Sequence, residues 1–454
     1  MSVDFGGDDS LCGLAVMINY IECNFSLFFI NDLYYKSLLF LFLIFSSSSI
    51  YAKSQIDSIR FTGNDTTQES VLLREMYIAE GDYIDDAKIH QSIQGIRDLE
   101  LFSEVTYYIS ETHDDRYADN LFSELVIHVE EKIYLLVIPR LKLRDNQLGV
   151  GIQLKWENVF GLDHRLKLLY ENKGEEEGVK EYRTRFRYNY KNINDSDYSL
   201  NLSLISENSV TQSPEFDYQN SYDDSLQMSL FKWHNELHHK NGEYTSIGFG
   251  LHQRAHETLS GQYIDDANAN FMTFSWGYKN VHKFAYNRQG KHFGFDLEAS
   301  DSVFGSESEY IKNVLFYRSY YTFKSRPGDN LNIQAQLGYS TDDILGDKAF
   351  KLDFRNDLRG YDKNSYQGNS MLLLNMEYMI PSEPFPTLRY LGFIDVGNTY
   401  EKLSDIKENS LNIGIGAGIR WKIKSFVKVD LRFDVGYGLA DDNYQFTFGT
   451  RHAF

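Results

Sequence analysis

From Phe426 to Tyr437 the chain alternates strictly, with Val427, Val429, Leu431, Phe433, Val435 and Tyr437 on one parity and Lys428, Asp430, Arg432, Asp434 and Gly436 on the other. A period of two puts these sets on opposite faces of a β-strand. Ile413, Ile415, Ala417, Ile419 and Trp421 likewise oppose Gly414, Gly416, Gly418 and Arg420. In the final segment Tyr444, Phe446, Phe448, Thr450, His452 and Phe454 share one parity, against Gln445, Thr447, Gly449 and Arg451. Such strands suit a soluble sandwich, whose apolar face is a core, or a membrane barrel, whose apolar face meets lipid and whose polar face meets a wet lumen.

The N-terminal segment favours the barrel. Lys36 precedes the apolar run Leu38–Phe45, which is too short for a membrane span, and Ser46–Ser49 and Ile50-Tyr51-Ala52 follow. A basic residue, a short apolar run and a small residue at the cut make an export signal cleaved after Ala52. A membrane anchor is the competing reading. Residues 1–35 form an extension longer than such signals need, and Met17 is an alternative start. Both cysteines, Cys12 and Cys23, precede the cut, so neither a disulfide framework nor a thiolate metal site is expected in the mature chain. A net charge of −20 argues against nucleic acid as partner. The 33 Tyr and 32 Phe, with only 6 Pro, suit strands.

Residues 53–132 mix helix and strand signals. Ile56–Phe61 alternates, Gly63-Asn64 turns the chain, and Leu72, Leu73 and Met76 recur at helical spacing in a helix that Gly81 is expected to stop. A second helix begins after Asp85-Asp86 with Ile89, Ile93, Ile96 and Leu99 on one face. Strands follow at Val105–Ser110 and Leu121–Glu130. This order, with Gly63-Asn64 and the stretch from Leu99 to Val105, resembles a POTRA domain, the periplasmic module of outer-membrane assembly and translocation proteins.

From residue 133 to the end, segments at 133–142, 147–158, 163–173, 179–190, 196–206, 223–236, 243–256, 268–279, 291–303, 309–323, 329–341, 372–381, 387–397, 411–421, 425–436 and 443–454 give sixteen strands. An even count returns the chain to its starting side, the periplasm. The long connections 207–222, 257–267 and 342–371 then all fall outside the cell. The expected fold is a transmembrane β-barrel of about 16 antiparallel strands behind one small α+β domain.

The longest outer connection holds Leu358-Arg359-Gly360-Tyr361. Alone, a loop arginine is usually a solvated charge. On the twelfth strand, however, Asn375, Glu377 and Met379 face inward while Leu374, Met376, Tyr378 and Ile380 face lipid, and on the thirteenth Asp395 faces inward between Ile394 and Val396. In order and spacing these pieces resemble the BamA/TamA-type assembly and translocation barrels, also known as bacterial surface antigens, and the resemblance runs from about Ile56 to Phe454. It implies that the sixth outer loop folds back into the lumen, with Arg359 docking on Glu377 and Asp395. Gly360 then permits the close backbone approach, and Tyr361 packs beside it.

The same resemblance implies a working seam between first and last strands. Pro139 in the first strand cannot donate a ladder hydrogen bond, although it equally suits a position near the strand's start. Tyr444, Phe446, Phe448, His452 and Phe454 resemble a C-terminal insertion signal and also suit a lipid-facing aromatic girdle. His234, Glu236, His238 and His239 do not converge on a strand or turn, Glu175–Glu177 suits a solvated loop, and no nucleophile elbow or phosphate loop occurs. Neither metal nor cofactor is expected. The expected function is non-enzymatic assembly, insertion or translocation of other proteins. Its expected partners are the lipid bilayer, unfolded or extended clients and periplasmic chaperones. A passive diffusion channel or structural surface antigen, and a secretion pore for one partner, are the alternatives.

Overall fold

The computed structural model describes residues 54–113, 121–144, 147–176, 179–211, 222–235, 242–258, 262–284, 287–352, 357–362, 366–407 and 411–450. The export signal, both cysteines, Glu236, His238, His239, His452 and Phe454 lie outside them.

The small domain is built on β1 (Ser58–Thr62), β2 (Phe102–His113) and β3 (Leu121–Glu131), ordered β1-β3-β2 with β1 parallel to β3. Two helices, α1 (Glu69–Arg74) and α2 (Asp86–Asp98), precede β2. Asp85 caps α2 by accepting from the Ala87 and Lys88 N–H groups, which satisfies donors that the helix itself cannot. The apolar stripe Ile89, Ile93 and Ile96 is buried in one core with Leu125, Ile127 and Val129, each side chain contributing about 1.5–3 kcal/mol. The first helix is shorter than its periodicity predicts. It ends at Arg74, Leu73 is exposed, and Met76 and Ile78 enter the core from irregular chain. Gly81 (φ +88°) turns the segment so that its N–H donates to the Ile56 carbonyl.

Eleven consecutive strands open the large sheet: β4 (Leu135–Arg144), β5 (Gln147–Val159), β6 (His164–Glu176), β7 (Val179–Tyr190), β8 (Tyr198–Thr211), β9 (Tyr222–Asn235), β10 (Glu243–Thr258), β11 (Tyr263–Lys283), β12 (Arg288–Ser300), β13 (Tyr310–Phe323) and β14 (Arg326–Ser340). A loop carrying the two-residue pair β15 (Phe350–Lys351) and β16 (Gln367–Gly368) follows. The sheet resumes with β17 (Ser370–Pro381), β18 (Leu388–Tyr400), β19 (Asn412–Lys422), β20 (Asp430–Gly438) and β21 (Asn443–Gly449). All sixteen pair antiparallel with their neighbours, β14 with β17 across the loop. Parity holds along the closing strands. Leu374, Met376, Tyr378, Ile380 and Ile394 are exposed on the outside, whereas Asn375, Glu377 and Asp395 are buried inside. An exterior of this apolarity requires lipid as its solvent.

Three expectations for the large sheet fail, the first at Glu175 and Glu176, which are not loop but pair with Lys180 and Val179 at the end of β6. Residues 257–267 are not a long loop, because β10 and β11 extend to Thr258 and Tyr263 and make a tall hairpin. The alternation beginning at Phe426 is not strand throughout. β20 starts only at Asp430, Lys428 takes φ +54°, and Val427 is buried in the core of the small domain. Val427 alternates in sequence because it too must be buried, but it is buried in the core of the small domain and not against lipid.

That insertion is one of the attachments that join the small domain to the large sheet in a single compact unit, Gln55–Phe454. The β19–β20 turn also pairs Ile133 N–H with the Ser425 carbonyl at 2.8 Å. The β5–β6 turn meets α1, with Gln68 N–H donating to the Gly161 carbonyl at 2.9 Å; a Cβ at Gly161 would sit 2.1 Å from the Thr66 carbonyl oxygen. At the end of β11, Asp98 accepts from His282 and from the Lys283 N–H, at 2.8 and 2.6 Å, and Lys283 pairs with Glu100. Burial alone would raise the Glu100 carboxyl, but Lys283 and Lys428 hold it well below the usual carboxylate range. A carboxyl held low in the folded chain stabilises the contact above its unfolded value, near pH 4.5, and that stabilisation is lost as pH falls through the folded value. Lys283→Ala should weaken this attachment by about 1.5–3 kcal/mol. Limited proteolysis of the segment 132–134 should accelerate at neutral pH, and acidification below the carboxylate range should erase the difference from the parent.

Candidate functional site

Within the barrel the loop between β14 and β17 returns to the lumen, and Arg359 is 1% exposed. Its guanidinium grips Asp395 bidentately, Nε to Oδ2 at 2.6 Å and Nη2 to Oδ1 at 2.7 Å, and the Arg359 N–H donates to Oδ2 at 3.1 Å. Nη1 donates to Glu377 at 2.6 Å and to Asp434 at 3.3 Å. The guanidinium carbon lies 3.5 Å from the centre of the Phe393 ring, adding a cation–π contact to the fork. Lysine, a point charge without the planar fork, cannot reproduce this set.

The network extends further round the wall than Glu377 and Asp395. Arg420 on β19 donates to Glu377 at 3.0 Å and pairs with Asp434, and Arg432 on β20 donates to Asp434 at 2.6 Å. Three buried arginines therefore face three buried carboxylates across four adjacent strands. Asn375 ties the loop to the same cluster, donating to the Asp357 carbonyl at 2.6 Å and to Asp395 at 2.8 Å. Arg420, Arg432 and Asp434 share inward parity in the sequence, which is the signal that placed them on the lumen side. Nothing local shows that they converge on a loop residue.

Glycines make the berth. Gly360 has φ +100°, and a Cβ there would lie 2.5 Å from the Gly438 nitrogen. From the wall side, a Cβ at Gly414 would lie 2.0 Å from the Arg359 carbonyl oxygen, and one at Gly436 would lie 2.7 Å from the Gly360 nitrogen. The inward glycines of β19 and β20 thus leave the flat floor on which the loop backbone rests. Tyr361 is buried with Phe350, Leu352, Leu358 and Met371, and its hydroxyl donates to the Ile413 carbonyl at 2.8 Å.

Pro139 and the terminal aromatic residues lie at the sheet's two ends. Pro139 sits in β4 opposite Ile152 of β5. Tyr444, Phe446 and Phe448 project outward from β21, Phe448 being 74% exposed. His234 falls near the end of β9, and no metal-binding group of His, Cys, Asp and Glu occurs among the described residues. The strand order runs from β21 to β4 with no backbone ladder between those two strands among the described residues. Near the gap, Lys155 Nζ of β5 donates to Thr450 Oγ1 at 3.4 Å, and Ile133, just before β4, bridges to Phe426, just before β20.

With this geometry in place, the comparisons are specific. The family model of the Omp85 superfamily domain matches residues 137–454, and that of the surface antigen variable number repeat, POTRA, matches residues 54–132. The outer membrane protein assembly factor BamA of Nitratidesulfovibrio vulgaris is 24% identical over an alignment of 420 residues that covers 85% of this chain and 49% of that protein. The chain thus spans about half the length of that relative. Among solved structures, CdiB from Escherichia coli superposes with a TM-score of 0.58 at 15% identity, covering 88% of this chain and 75% of that one. CdiB from Acinetobacter baumannii gives 0.56 at 15% identity, with 87% and 73% covered. BamA from Haemophilus ducreyi lacking POTRA domains 1–3 gives 0.50 at 15% identity, with 87% and 83% covered. These likenesses fix the architecture as a barrel behind a POTRA domain.

Proposed function

The chain belongs to the Omp85 superfamily, and on that premise we propose that it inserts, assembles or translocates other polypeptides at the outer membrane, without enzymatic chemistry. The barrel lies in the outer membrane of a Gram-negative bacterium with its POTRA domain in the periplasm. The observation that carries the reading is the seam, where β4 and β21 stand at the two ends of the sheet without a ladder joining them among the described residues. Unpaired strand edges are templates for another strand, so an extended client adds there by β-augmentation. Pro139, which has no N–H to give, weakens any closure on its side. In the POTRA sheet β2 is an edge strand, which offers clients a first contact in the periplasm. The Arg359 dock holds the long loop against β17–β20 and stiffens that wall while the seam works.

Photo-crosslinking tests this. A photoreactive residue in place of Pro139 should trap extended polypeptides in cells, whereas the same probe at Leu315, on the lipid face of β13 opposite the seam, should trap none. Equal trapping at both positions would refute the seam as the working edge. Steady conductance in planar bilayers that survives deletion of residues 56–132, with nothing trapped at 139, would establish a passive channel instead. Capture of one partner alone would mark a dedicated secretion pore.

A further inference from the structure

The lumen beside the seam carries an unusual concentration of cations for a chain whose net charge is −20. A cavity of about 320 Å³ is lined by Arg140, Lys155, Lys167, Arg185, Arg187 and Arg432, and no carboxylate lines it among the described residues. The cations come from β4, β5, β6, β7 and β20, and Thr447 and Gly449 of β21 complete the wall. The cavity therefore bridges the two strands that lack a shared ladder.

Nearby acids are already divided among several cations. Glu157 serves Arg165 at 3.2 Å, Lys167 at 3.4 Å and Lys428 at 3.9 Å. Asp434 is shared by Arg359, Arg420 and Arg432, and Glu171 approaches Arg140 only to 3.9 Å. Arg185 Nε is buried and has no hydrogen-bond partner among the described residues. Leaving a buried guanidinium donor unmatched costs free energy that an incoming anion recovers.

We infer that this cavity receives acidic side chains from an extended polypeptide lying along the seam. The inference rests on the proposed function, because a strand added to the β4 edge alternates its side chains between lipid and lumen, and the lumen-facing ones come to lie over Arg140 and its neighbours. An extended segment is favoured over a small free anion because the cations are spread over five strands, β4, β5, β6, β7 and β20, and the lining reaches both end strands of the sheet, β4 and β21. Cations at this edge would thus read the inward parity of a client strand, as its apolar outward parity is read by lipid. The effect is electrostatic complementarity, which sets partner choice more than raw affinity.

The test uses the full chain in detergent micelles and two synthetic peptides about 11 residues long, roughly a barrel strand. They share one apolar face and carry Glu or Gln at every alternate position. The parent protein should bind the Glu peptide about tenfold more tightly at low salt, and the preference should vanish near about 1 M salt, where charges beyond about 3 Å are screened. The combined substitution Lys167→Gln, Arg185→Gln and Arg187→Gln should abolish the preference while leaving the Gln peptide's affinity and the heat-modifiable gel mobility of a folded barrel unchanged. The single substitution Arg185→Gln, with the same fold readout, should reduce the preference in part. Equal binding of both peptides to the parent, or a preference that survives the substitutions, would overturn the cavity's role and leave the seam reading standing. Binding of neither peptide would overturn both. Displacement of the Glu peptide by millimolar inorganic phosphate would show a small-anion site and likewise overturn the proposal.

Discussion

Arg359→Ala should release the loop from the lumen and destabilise the docked state by about 3–5 kcal/mol, the range for removing one partner from a buried ion pair. The cost arises less from the lost attraction than from what stays behind. Asp395 and Glu377 are both fully buried, and Asp395 would retain only the Asn375 amide at 2.8 Å as a close donor from this cluster. Arg359→Lys should recover little, because one ammonium cannot bond both oxygens of Asp395 and also reach Glu377. Two measurements check this. The barrel should unfold at lower denaturant, and a cysteine placed by Leu358→Cys, at a position now 1% exposed, should react with a water-soluble thiol reagent only in the released variants. Unchanged reactivity in Arg359→Ala would mean that the apolar packing of Tyr361 holds the loop without the ion pair.

The strands were legible because a period of two is a property of the extended backbone, and lipid and water enforce it from opposite faces. Glu377 and Asp395 could be placed inward on that ground alone. The same rule misled at Val427, where alternation continues past the strand into a turn. A valine on the apolar parity looks the same in sequence whether its neighbours are lipid tails or the core of the small domain. The arginine cluster was half legible. Parity put Arg420, Arg432 and Asp434 inward, but their meeting with Arg359 depends on a loop that folds back between strands far from it in sequence. The glycines were visible and their purpose was not. Gly414, Gly416 and Gly418 read as a small inward face, yet only Gly414 lies under the loop backbone, while Gly416 makes room for the Phe393 ring and Gly418 for the Asp434 carboxylate.

That explanation makes a sharper test than the arginine does, because it involves no charge. Gly414→Ala should drive the loop off its floor, since the new Cβ would meet the Arg359 carbonyl oxygen at 2.0 Å and backbone, unlike a side-chain tip, cannot swing aside. Overpacking of this kind costs about 1–3 kcal/mol. Gly449→Ala is the matched control, because a Cβ on that β21 glycine has nothing within 4 Å. There alanine should be neutral or slightly stabilising, since it removes glycine's excess freedom in the unfolded chain. The decisive measurement is the double variant. If Gly414 matters only as the floor of the dock, then Gly414→Ala adds almost nothing once Arg359→Ala has already freed the loop, and the two changes are strongly non-additive. Full additivity would mean that Gly414→Ala damages the barrel wall itself, and the berth would lose its role in holding the loop.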